Sequence, residues 1–145
     1  SANRFGLMNA EITDAGFLDE NGNYTYLLRG GEPARLEIQY KINKPIEEYV
    51  FGMGFFTMDS VCIYGTNTMI DGLHYKDGDI PRAGRVLFHI DKLPLLQGKY
   101  ILHVSIVDNN GTPIDYWRTY DCFDVISGSR AVGLLEMPHK WEFIG

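Results

Sequence analysis

The sequence predicts an all-β protein, an antiparallel β-sandwich of eight to ten strands with jelly-roll or immunoglobulin-like connectivity. Three observations carry that prediction. Short runs alternate apolar and polar residues at period two. Turn dipeptides ending in glycine recur between them, at Asn21-Gly22, Gly30-Gly31, Asp71-Gly72, Asp77-Gly78, Gln97-Gly98 and Asn110-Gly111. No window longer than about ten residues shows the 3.6-residue period with caps that a core helix needs. Sixteen Gly, 6 Pro, 9 Tyr, 8 Phe and 2 Trp agree with pleated sheets joined by tight turns.

Leu36, Ile38, Tyr40 and Ile42 alternate with Arg35, Glu37, Gln39 and Lys41, a strand with one buried face. Phe51, Met53 and Phe55 alternate with Gly52, Gly54 and Phe56. Glycine on the second face of a strand leaves room for something to approach its backbone. Val61 and Ile63 alternate with Cys62 and Tyr64, which places Tyr64 away from the core. Val86, Phe88 and Ile90 alternate with Leu87 and His89. Only Asp91 to Leu96, despite Pro94, has the composition of a short helical turn. Leu102, Val104 and Ile106 then claim the core, which turns His103 and Ser105 outward. Asn110-Gly111 reads as a type I′ hairpin turn rather than a calcium loop. In the tail, Trp141 and Phe143 alternate with Lys140 and Glu142, a strand period with one apolar face.

A chain of 145 residues is the size of one domain and buries a core without staples. Its net charge of −6 argues against a nucleic-acid partner or an anionic membrane surface. The uncharged run from Tyr49 to Met58 stops at Asp59, well short of the roughly 20 residues that span a bilayer. No basic n-region followed by an apolar h-region opens the sequence, so no signal peptide is expected within it. Cys62 and Cys122 read as two free thiols, small buried hydrophobes in a reducing compartment.

Searches for catalytic chemistry return little. There is no nucleophile elbow, no His-Glu-x-x-His, no phosphate loop and no dinucleotide fingerprint. His74, His89, His103 and His139 lack metal-ligand spacing, although His89 and His103 are expected to meet on neighbouring strands. Asp71, Asp77, Asp79, Asp108, Asp115, Asp121 and Asp124 fall at turns or strand ends, where aspartate caps backbone amides. Neither a cofactor nor a metal is expected.

The positive signal is aromatic. Alternation leaves Phe56, Tyr64, His89, His103, Tyr116 and Trp117 on the side of their strands away from the core. A pyranose has an apolar face of C–H groups that packs on a flat ring, and its hydroxyls need planar polar partners. Gln39, Thr66, Asn67, Ser105 and Arg118 supply them. The expected carbohydrate-binding residues are therefore Gln39, Phe56, Tyr64, Thr66, His89, His103, Ser105, Tyr116, Trp117 and Arg118. A partner subunit covering the same face is the competing reading, and a glycan-processing enzyme with two carboxylates flanking a cleft is another.

A further pattern runs along the chain. Tyr64-Gly65-Thr66-Asn67-Thr68 is followed by Leu93-Pro94-Leu95-Leu96-Gln97-Gly98-Lys99-Tyr100, then Asp115, Phe123-Asp124-Val125, Gly133 and Trp141. This order and spacing, over roughly residues 31 to 143, resembles the C-terminal domain of the ATP-binding subunit of O-antigen polysaccharide ABC transporters, the Wzt type. The resemblance implies a single non-catalytic sandwich over residues 1–145, following an ATPase domain in a longer chain. It implies recognition of the lipid-linked O-polysaccharide at its non-reducing end, so that the membrane subunit exports the finished chain. It also implies work at the cytoplasmic face of the inner membrane and a homodimer with exchanged C-terminal strands. Gly65 and Gly98 read as backbone requirements, and Leu93 to Leu96 as packing.

Overall fold

A computed structural model describes residues 3–145. Among the described residues eleven strands form two sheets and no helix occurs. The strands are β1 (Arg4–Phe5), β2 (Ala10–Leu18), β3 (Tyr24–Thr25), β4 (Leu27–Arg29), β5 (Ala34–Ile42), β6 (Glu48–Thr57), β7 (Cys62–Asn67), β8 (Tyr75–Lys76), β9 (Ala83–Ile90), β10 (Gly98–Val107) and β11 (Pro113–Ile126). The large sheet runs β1-β11-β10-β6-β7, with β4 beside β11 and β8 beside β6. The small sheet runs β3-β2-β5-β9. All pairings are antiparallel except β4 with the end of β11. The strand count passes the expected eight to ten because β1, β3 and β8 are two residues long, too short to show a period.

The core lies between the sheets. Phe51, Met53 and Phe55 of β6 and Tyr100, Leu102, Val104 and Ile106 of β10 face Ile12 and Phe17 of β2 and Leu36, Ile38 and Tyr40 of β5. Phe17, Phe55 and Phe123 meet ring to ring at 4.9 to 5.9 Å between centroids. The alternation read for β5, β6, β9 and β10 is thus the alternation observed.

Four local expectations need correction. Asp91 to Leu96 is not helical: Pro94 holds it extended, Leu95 bridges to Leu135, and Leu93, Leu95 and Leu96 are buried. The turn at Asn110-Gly111 is not type I′, which needs positive φ at both residues. Only Gly111 has it, at 80°, while the Asp108 carboxylate accepts from the Asn110 and Thr112 amides and closes a longer loop. Both cysteines are free, but neither is buried: Cys62 is exposed on the edge strand β7, and Cys122 is half-buried. His89 and His103 do not meet, since β9 belongs to the small sheet and β10 to the large one.

The last segment leaves the sandwich. Leu96 N–H donates to Leu134 O at 2.8 Å and Glu136 N–H to Pro94 O at 2.8 Å. Beyond that, Trp141 and Phe143 are 86% and 98% exposed and join neither sheet.

Candidate functional site

Glycine on the outer face of β6 makes the site. Gly52 and Gly54 alternate with the core residues Phe51, Met53 and Phe55, so the sheet carries no side chains along that row. Gly65 of β7 stands directly opposite Gly54, which widens the bare strip to two strands. A Cβ on Gly52 would lie 2.6 Å from Ser105 Oγ, and one on Gly54 2.9 Å from the Phe56 ring. The strip is the floor of a trough of about 250 Å3 on the outside of the large sheet.

The walls come from neighbouring strands. His103 and Ser105 of β10 stand opposite Gly54 and Gly52. The His103 ring stacks on Phe56, with centroids 3.8 Å apart and planes at 19°. Tyr116 of β11 pairs with Ser105 and lines the far side. Its ring stacks on Phe5 of β1, 5.3 Å away and 14° from parallel. Asn67 and Ile70 close the β7 side. Burial and the charge of Arg118 hold the His103 pKa below its usual value, so the ring is neutral at pH 7. A neutral imidazole both donates and accepts. The trough therefore offers flat rings beside a short, mixed set of hydrogen-bonding groups.

Of the ten residues expected from sequence, Phe56, His103, Ser105 and Tyr116 line this trough, and Arg118 does not line it but falls in the stretch of β11 opposite His103. Thr66 borders it but is buried on the inner side, and its hydroxyl donates to Asp71 at 2.9 Å. The other four lie elsewhere. Gln39 is on the outer face of the small sheet, donating to Tyr24 and Glu37 in a network that Arg85 completes. Trp117 pairs with Val104, so it faces inward; it packs against the core, meets Tyr120 edge-on and carries Arg4 4.0 Å above its ring. Tyr64 pairs with Phe55 on the inner side, because a bulge at Ile63 shifts the alternation of β7 by one residue. Tyr64 and His89 share a different cavity, of about 390 Å3, at the open side of the sandwich between β7 and β9.

Sequence reasoning missed Phe5, whose two-residue strand offers no period to read. The glycines of β6 were visible, but their partner Gly65 across the ladder was not. Among the described residues no cluster of His, Cys, Asp or Glu could hold a metal. Several aspartates are engaged in hydrogen bonds: Asp77 accepts from the distant Tyr49, Asp79 from the Lys76 amide and Asp108 from its own turn. Among the described residues no helix is long and apolar enough to cross a membrane.

Comparison with known proteins adds a family. The model of the Wzt C-terminal domain matches residues 1–137. The crystal structure of the C-terminal domain of wzt superposes with a TM-score of 0.82 at 19% identity, covering 97% of this chain and 87% of that one. A Niemann-Pick type C2 protein from Japanese carpenter ant superposes with a TM-score of 0.49 at 8% identity, covering 83% and 95%. No curated protein matches in sequence.

Proposed function

Because this chain belongs to the Wzt C-terminal domain family, we propose that it is the non-catalytic carbohydrate-binding module of an O-antigen polysaccharide ABC transporter. In this reading the trough over Gly52, Gly54 and Gly65 is where the glycan lies. One observation carries it: a floor without side chains, bordered by the Phe56–His103 and Phe5–Tyr116 stacks and by Asn67 and Ser105. A sugar ring laid on that floor puts its C–H face against an aromatic ring and its hydroxyls within reach of Asn67, His103 and Ser105. Pockets for drug-sized ligands span about 300–1,000 Å3, so a trough of about 250 Å3 takes little more than one sugar. A terminal residue of the polysaccharide, at its non-reducing end, suits that size.

The wider reading follows the family. The module acts beside an ATPase domain in the full-length subunit, at the cytoplasmic face of the inner membrane, and hands the lipid-linked chain to the membrane subunit. Titration of the domain with the O-polysaccharide of its source strain tests the site. Phe56→Ala removes one stacking ring and weakens binding about ten-fold, equivalent to roughly 1.4 kcal/mol. Unchanged binding by Phe56→Ala and Ser105→Ala together would place the glycan elsewhere.

A further inference from the structure

Residues 118 to 120 of β11 bulge. Leu102 pairs with Asp121 and Val104 with Trp117, so three residues of β11 stand opposite the single residue His103. Thr119 sits at φ 48°, a left-handed conformation that a β-branched residue seldom adopts. Bulges of this kind re-aim a side chain, and they gather beside binding sites. Here the bulge begins at Arg118, which is exposed and falls in the stretch of β11 opposite His103 of the trough wall.

Arg118 is fixed there by two contacts. Its backbone N–H donates to Asn3 O at 2.7 Å, and its guanidinium lies 5.1 Å from the centre of the Phe5 ring. Phe5 in turn stacks on Tyr116, whose ring lines the trough, so the guanidinium is tied to the trough wall through two aromatic contacts. Among the described residues Arg118 joins no ion pair, although acidic residues outnumber basic ones by 19 to 13. The trough itself is lined by no Asp or Glu. Burial first and the positive charge of Arg118 second lower the His103 pKa. A site for an uncharged sugar has no need of a guanidinium outside any ion pair, whereas two oxygens of a carboxylate or a phosphate match its fork.

We propose that the glycan bound in the trough carries an anionic substituent, a carboxylate or a phosphate, and that Arg118 binds it. The proposal rests on the trough being the glycan site. Two treatments of the source strain's O-polysaccharide separate the possible anions. Carbodiimide-mediated reduction converts uronic carboxylates to alcohols, and aqueous hydrogen fluoride cleaves phosphate esters. One of the two weakens binding by the intact domain about ten-fold or more, as expected for a lost charge-assisted pair. Arg118→Gln binds the native polysaccharide as weakly as the wild type binds the stripped one, and stripping has no further effect on the variant. Arg118→Lys keeps the sensitivity to stripping with reduced affinity. Binding that depends on Phe56 but is indifferent to both treatments leaves the glycan site in place and overturns the anion. A wild-type domain that binds no form of the polysaccharide overturns both readings. Arg118→Gln that loses the same factor on native and stripped glycan shows a neutral contact and also overturns the proposal.

Discussion

Asp115 is inaccessible to solvent and accepts three hydrogen bonds, from Arg4 Nε at 2.9 Å, Arg4 Nη2 at 2.8 Å and the Ile12 amide at 2.7 Å. Its carboxylate thereby joins β1 and β11 of the large sheet to β2 of the small one. Asp115→Ala leaves the buried Ile12 amide without its acceptor and Arg4 without its counter-ion, and should cost about 3 kcal/mol in urea denaturation. Asp115→Asn keeps part of the bonding and costs less. His103 predicts a pH effect of definite sign. The fold holds its pKa below 6.5, through burial first and Arg118 second, so the unfolded chain binds more protons there. Stability is complete above about pH 6.5 and declines as pH falls toward the folded pKa. His103→Gln should flatten that part of the stability curve. Trp117 shows the opposite side of the site question: it packs on the core, so Trp117→Ala should lower stability by about 2 kcal/mol in the same denaturation assay.

Strands β5, β9 and β10 were legible from alternation because their registers run unbroken where the core residues sit. The same rule placed Phe56, His103, Ser105 and Tyr116 on one outer face. It failed where β7 carries an extra residue, since that bulge turned Tyr64 to the inner side. Trp117 lies inward by plain alternation, one residue on from the outward Tyr116, so the two could not share a face. Asp115 compounded the error, since an inward aspartate in a strand reads from sequence as a turn. Which strands are neighbours was also hidden: His89 and His103 have the same local pattern and belong to different sheets. The β6 glycines give an element-level test. Gly52→Ala places a methyl 2.6 Å from the Ser105 hydroxyl, a side-chain end that can rotate away. The fold should keep its melting temperature within a few degrees, roughly a ΔΔG below 1 kcal/mol. Glycan binding should fall, because the methyl rises from the trough floor.

At the scale of the molecule, the sandwich is open on one long side, where the edge strands β7 and β9 leave cavities of about 390 Å3 above and below Phe88. The tail passes one of these openings at Leu135 and then runs free with Trp141 and Phe143 exposed. Large apolar side chains left in water in this way mark an interaction segment. Exchange of the tail between two copies remains our proposal for it. Deleting residues 138–145 should convert a dimer to a monomer in light scattering, and a truncated protein that stays dimeric removes the tail from the interface. The order of strands in the large sheet has a separate consequence, for biosynthesis. The long neighbour of β6 on its inner side is β10, which ends at Val107, fifty residues after Thr57. A ribosome adding about 5–20 residues per second takes roughly 3–10 s to supply it. Through that interval β6, with Phe51, Met53 and Phe55, waits with one edge unpaired. Slower translation lengthens the wait, so yield of native protein should depend more on elongation rate and chaperone supply than its finished stability suggests.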